Sequence, residues 1–126
     1  PGARMCSEME WERASRGADE RALPTGFDAG IDDANIDVTY NKKPEATGPD
    51  EVGVHVASRS PFGLDDLLGN IAEWNTSSIG EEGAVARGGS FVYNLLTGRS
   101  DNRNGVEANY REPDSGFRIC ASLRSR

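Results

Sequence analysis

The clearest alternation of apolar and polar positions lies near the amino terminus. Ser7-x-x-Glu10 is a capping-box pair, in which each side chain satisfies the other residue's free backbone N–H. Glu8 and Glu10 also place negative charge in the first turn, where the helix dipole favours it. Trp11 and Ala14 are three residues apart and share one face. Ser15, four residues after Trp11, is small enough to flank that face, but it is polar, so the apolar stripe is narrow. Arg13 and Arg16 fall near the end, and Gly17 reads as the stop. The pattern predicts a helix over 8–16.

Residues 18–50 lack sustained periodicity and carry Gly26, Gly30, Gly48, Pro24, Pro44 and Pro49 among many acids. A long loop of this kind in a compact domain needs a function or an ion to order it. Val52 to Val56 alternates weakly and reads as a short strand. Asp65 to Leu68 fits one helical turn, broken by Gly69-Asn70. Ile71 to Trp74, Val85 to Val92 and Phe117 to Leu123 are further strand candidates. Ser77 to Gly83 reads as a polar loop, and Tyr93 to Ser115 is a long stretch rich in Asn, Arg and Gly. Trp11, Trp74 and Phe117 are expected in the core, with Trp74 as a stacking surface for a sugar or base the minor alternative. No repeat or low-complexity tract appears. The expected class is α+β, with one clear helix, short strands and extensive structured loops.

Composition narrows the function classes. The 126 residues amount to one core, with 36% hydrophobic residues and 15 glycines. No apolar run approaches the roughly 20 residues of a membrane span, and Pro1 to Arg4 do not begin a signal peptide. A chain opening on proline reads as a piece of a longer one. The net charge of −7 is uneven: residues 1–82 hold 17 acids against 7 bases, and residues 83–126 hold 4 against 7. The acidic part argues against broad nucleic-acid binding, which needs many basic residues. Arg87, Arg99, Arg103, Arg111 and Arg118 are interleaved with acids and read as structural ion pairs or, alternatively, as an anion-binding face.

Cys6 and Cys120 lie near opposite ends. They can form one bridge, worth about 4.7 kcal/mol in the chain-entropy model for a loop of about 100 residues. They can equally remain two buried thiols, so the compartment stays open. His55 is the single histidine, which excludes a metal site built on several imidazoles. No nucleophile-elbow pattern accompanies it, which argues against a Ser-His-Asp triad.

Four segments in order carry a resemblance. Met5-Cys6-Ser7-Glu8-Met9-Glu10-Trp11-Glu12-Arg13-Ala14 is similar to an "LPTEAEWEYA" helix. Phe62-Gly63-Leu64-Asp65-Asp66-Leu67-Leu68-Gly69-Asn70-Ile71-Ala72-Glu73-Trp74 is similar to "FGLYDMxGNVWEW". Arg87-Gly88-Gly89-Ser90-Phe91 is similar to "RGGSW", and Arg103-Asn104 through Gly116-Phe117-Arg118 to "RN…GFR". Each motif is weak alone; the ordered set resembles the formylglycine-generating enzyme family, or sulfatase-modifying-factor domain. The resemblance implies a C-type-lectin-like fold. It spans residues 1–126 as a single domain but lacks the family's amino-terminal strands. The chain then reads either as the carboxy-terminal part of a longer protein or as a minimal version of the fold. The missing amino-terminal half, or other domains of the parent protein, would be partners.

The resemblance also defines what chemistry is missing. The authentic enzyme oxidises a sulfatase cysteine with copper and two cysteines just after "GGS", and thiolates suit Cu(I). Those two positions fall on Tyr93 and Gly98. A second branch makes sulfoxides at a nonheme iron held by a separate helical domain, and its substrate-contacting acid and arginine fall on Val106 and Tyr110. No catalytic residue is therefore assigned. The leading expectation is a noncatalytic module for binding a small molecule or protein, with no nucleic-acid or membrane partner. One alternative is a variable binding protein of a diversity-generating retroelement. Another is an accessory part of a sulfatase-modifying or nonheme-iron oxidoreductase. The binding surface is expected in residues 91–110, on Phe91, Tyr93, Asn94, Arg99, Asn102, Asn104 and Tyr110, since Tyr gives rigid area and Asn adaptable hydrogen bonds. The plain alternative is a loop whose asparagines satisfy turns.

The resemblance further implies structural Ca²⁺. Asp66 and Glu73 would give carboxylate oxygens, and Gly69 and Ile71 backbone carbonyls. Asn35, Ile36 and Asp50 would form a second, weaker site. The alternative is a solvated Asp66 and a Glu73 paired with an arginine.

Overall fold

The computed structural model describes residues 2–41, 43–76 and 83–122. Strand β1 (Ala3–Met5) leads into helix α1 (Glu8–Arg16); β2 (Ala72–Asn75), β3 (Gly83–Arg87), β4 (Asn104–Glu107), β5 (Ser115–Phe117) and β6 (Ile119–Ala121) follow after a long irregular stretch. Short 3₁₀ turns occupy Pro44–Ala46, Val56–Ser58 and Leu95–Gly98. The main sheet has the order β4-β3-β2-β5. β2 runs antiparallel to β3 and parallel to β5, while β1 and β6 form a separate antiparallel ribbon. Among the described residues no helix is long and apolar enough to cross a membrane.

Helix α1 forms for local reasons. Ser7 caps it with its side chain accepting from the Glu10 N–H, and the Glu10 carboxylate accepts from the Ser7 N–H. Gly17 ends it at φ +68°, a left-handed conformation that costs glycine little. The buried face carries Trp11 and Ser15. Trp11 lies under the Arg87 guanidinium, 5.4 Å from its ring centroid. A separate apolar cluster joins Leu23, Ala34, Ile36 and Leu68. Gly69 holds φ +70°, and a Cβ there would collide with the Asn35 carbonyl, so the loop carrying Asn35 sits directly on this turn.

Cys6 and Cys120 are joined in a disulfide, with Cα atoms 5.0 Å apart. The bridge fastens the β1–β6 ribbon just ahead of the Ser7 cap. Neither cysteine is free.

Five local expectations need correction. Val52 to Val56 is not a strand: Gly53 turns the chain at φ +82°, and the three valines are exposed while His55 is buried. The alternation is inverted because Asp32 and Asp50 capture the His55 ring from other parts of the chain. Asp65 to Leu68 makes no helical turn, since Asp66 has φ +57°. The strand expected over Val85 to Val92 ends at Arg87, because Gly88 and Gly89 both take positive φ. The strand expected over Phe117 to Leu123 is two strands in different sheets, broken at Arg118, whose side chain turns in to Glu73. Leu123 and the polar loop 77–82 lie outside the described residues. Phe117 is 65% exposed, so it is not core; it sits on β5, whose outer edge pairs with no strand in the sheet.

Candidate functional site

Residues 91–93 and 110–114 meet at the mouth of a cleft of about 370 Å³, lined by Phe91, Val92, Tyr93, Tyr110, Glu112, Pro113 and Asp114. Two backbone features place them. Gly88-Gly89 redirects the chain out of β3, and the Phe91 N–H then donates to the Asn70 carbonyl at 3.0 Å. On the other side, the Ala72 N–H donates to the Asp114 carbonyl at 2.8 Å, just before β5. Asp114 is buried. Ser90 Oγ donates to its Oδ2 at 2.8 Å, and the Tyr110 hydroxyl faces its Oδ1 at 3.4 Å. Tyr110 leans against Trp74, with ring centroids 6.5 Å apart. Burial, then the charge of Asp114 and the neighbouring Tyr93, push the Tyr110 hydroxyl up to about 12.

This cleft gathers Phe91, Tyr93 and Tyr110 of the expected binding residues and leaves the others to internal work. Asn94 Oδ1 accepts from the Leu96 N–H and caps the 3₁₀ turn. Asn102 donates to the Thr97 carbonyl and to Asn104 Oδ1, and its own carbonyl accepts from Arg87. Arg99 pairs with Asp101. These four behave as ordinary loop-forming residues. Val92 falls within the expected 91–110 stretch, whereas Glu112, Pro113 and Asp114 lie beyond it. The type of residue signals tyrosine as a contact surface, but nothing local marks Asp114, whose partner Ser90 lies 24 residues away.

The expected metal ligands fall in two places. Asp66, Ile71 and Glu73 line a second cleft of about 420 Å³ together with Asp65, Asn70 and Arg118. Glu73 is already engaged: its Oε2 accepts from Trp11 Nε1 at 2.7 Å and Arg118 Nε at 3.0 Å, and its Oε1 from the Arg118 guanidinium at 2.6 Å. Burial raises the Glu73 carboxyl, against the pull of Arg118 and Trp11. Asp66 Oδ2 accepts from the Gly53 N–H at 2.8 Å. In the second place, Asp50 Oδ2 accepts from the Tyr40 hydroxyl and from His55 Nε2, both at 2.7 Å. The Asn35 carbonyl accepts from the Asn70 N–H, and Asn35 Nδ2 donates to the Gly48 carbonyl. The Ile36 N–H is held by Thr39 Oγ1. Among the described residues no three His, Cys, Asp or Glu side chains gather as a metal cage. Oxygen donors are the type a hard cation takes, and one bound here would rest on one or two carboxylates and backbone carbonyls. It would also have to share Glu73 with Arg118.

The arginines divide plainly. Arg87 pairs with Glu12, Arg103 with Glu8, Arg118 with Glu73 and Arg99 with Asp101, while Arg111 donates to the carbonyls of Ala108 and Tyr110.

One helix, a four-stranded mixed sheet and long ordered loops are the architecture of C-type-lectin-like proteins, and three solved structures share it. Variable protein 1 of Treponema denticola matches with TM-score 0.78 and 24% identity, over 94% of this chain and 47% of that one. PvdO of Pseudomonas aeruginosa matches with TM-score 0.76 and 24% identity, over 93% and 51%. CarF matches with TM-score 0.74 and 21% identity, over 94% and 46%. Hercynine oxygenase of Mycobacterium tuberculosis is 27% identical over 143 residues, covering 94% of this chain and 32% of the relative. The model of the sulfatase-modifying factor enzyme 1-like domain matches residues 1–123, and the chain belongs to that family. It spans about a third of the length of its curated relative and about half of each matched structure.

Proposed function

We propose that this chain is a noncatalytic binding module of the family, stabilised by Ca²⁺, with its ligand surface at the Phe91–Asp114 cleft. The observation that carries the reading is the state of the thiols. The positions of the family's catalytic cysteines hold Tyr93 and Gly98, and the two cysteines present are bonded to each other at the β1–β6 ribbon. The soft donor pair that copper needs has no counterpart here. At the same place the chain offers a concave surface with three aromatic rings and a few polar groups, the usual makeup of a ligand site. Ca²⁺ would be held by oxygens of Asp66, Gly69, Ile71 and Glu73, and by Asn35, Ile36 and Asp50. It would supply charge neutralisation for the acidic loops.

A protein-observed NMR screen with small fragments of mixed charge tests the reading. Fragment shifts should cluster on Val92, Tyr93 and Tyr110 and disappear in Tyr93→Ala, while Asn104→Ala, outside the cleft lining, leaves them in place. Shifts confined to surfaces away from this cleft, or none at all, would overturn the assignment. A second reading draws on the hercynine oxygenase match: the chain as an accessory portion of a nonheme-iron oxidoreductase. Bound iron together with oxygen uptake in the presence of hercynine would favour it.

A further inference from the structure

We infer that the Phe91–Asp114 cleft takes a weakly hydrated organic cation, the alkylammonium or guanidinium group of a small ligand. The inference rests on the reading of this surface as the binding face and adds the charge of what it accepts.

The argument begins with Asp114. It is 6% exposed, and among the described residues its oxygens face the hydroxyls of Ser90 and Tyr110. Among the described residues no lysine or arginine pairs with it. A buried carboxylate without a counter-charge is costly, and proteins ordinarily pair it. This chain does so elsewhere: Glu73 has Arg118, Glu8 has Arg103, and Glu12 has Arg87. The nearest base in the sequence, Arg111, is spent on two backbone carbonyls. Glu112 adds a second negative charge at the exposed rim.

The rest of the lining selects the kind of cation. Phe91, Tyr93 and Tyr110 offer π faces, which attract organic cations and do little for a strongly hydrated metal ion. Burial does most to raise the Tyr110 hydroxyl, and the charges of Asp114 and, least, Glu112 add to the rise. An anionic ligand would meet two carboxylates, and a neutral one would leave Asp114 uncompensated. The volume suits a headgroup or small molecule, lying near the lower end of the usual range of about 300–1,000 Å³.

NMR titration of the full chain at fixed ionic strength tests this, with tetramethylammonium, methylguanidinium and the neutral isostere tert-butanol as probes. At least one cation should give saturable shifts at Val92, Tyr93 and Tyr110, with tert-butanol about tenfold weaker, as a cation–π and Coulomb contribution of this size implies. Stronger binding of methylguanidinium would add N–H donation to Asp114; stronger binding of tetramethylammonium would put the rings first. Glu112→Gln should weaken the better cation about threefold and Asp114→Asn about tenfold. Glu112 is on the rim, so its variant keeps the test intact if Asp114→Asn does not fold. Equal affinity for tert-butanol, or saturation by neutral and anionic fragments alone, would overturn the charge assignment and leave the binding face standing. No probe of any charge reaching the cleft would overturn both.

Discussion

Around α1, acids and arginines close on one another: Glu73 is clasped by Arg118 and by the Trp11 N–H, Glu12 meets the fully buried Arg87, and Glu8 meets Arg103. In the Phe91–Asp114 cleft a carboxylate of similar burial meets, among the described residues, two hydroxyls. Both regions bury charge, but only the first supplies its own counter-charges. Self-matched charge fixes the arrangement of α1, β2 and the segment after β5, and leaves little for an outside partner. Unmatched charge behind three aromatic rings is suited to a partner from outside. The contrast separates the part that holds the fold from the part that presents it.

The largest expected effect lies in the matched region. Glu73→Ala strips the partner from Arg118 and Trp11 and should cost about 3–5 kcal/mol in urea unfolding, since it leaves a buried charge uncompensated. Glu73→Gln, which keeps an acceptor for Trp11, should cost less. A loss under about 1 kcal/mol for Glu73→Ala would mean the matched charges do not hold this centre. Next comes the bridge: Cys120→Ala should lower stability by about 2–4 kcal/mol, read as a fall in melting temperature that reductant reproduces in the parent chain.

Tyr93→Ala should act the other way round. Tyr93 is 41% exposed, so stability should change by no more than about 0.5 kcal/mol while ligand shifts at the cleft vanish. Loss of stability without loss of binding would erase the contrast between the regions. The smallest effect is acidic. Hydrogen bonds from Arg4, and then from Ser7, hold the Glu10 carboxyl down at about 2, against its ordinary 4.5. Its contribution is therefore present above pH 4.5 and fades as pH falls toward 2. The melting temperature of Glu10→Gln should approach that of the parent over this window.

What could be read from the sequence follows how local each cause is. Ser7, Glu10, Trp11 and Gly17 announce α1 because capping and helical spacing act within ten residues. The apolar count carries β3 past Arg87-Gly88-Gly89-Ser90, since the left-handed glycines that end the strand leave no trace in it. Val52 to Val56 misleads because the residue that goes inside is His55, drawn by Asp32 and Asp50 from other loops. Residue type singles out Tyr93 and Tyr110, which the fold brings together in one cleft. Asp114 does not stand out, because its meaning depends on Ser90, on Tyr110 and on the lack of an arginine beside it among the described residues, all facts of three-dimensional arrangement.

The most direct test of the whole account is metal analysis of the purified chain by mass spectrometry, combined with melting curves before and after EDTA. A noncatalytic module held by oxygen ligands should carry calcium and lose melting temperature on chelation, with only traces of copper and iron. Near-stoichiometric copper or iron would contradict the account and return a redox reaction to this fold. A melting temperature indifferent to EDTA in a calcium-free protein would contradict the part assigned to Asp66, Glu73 and Asp50.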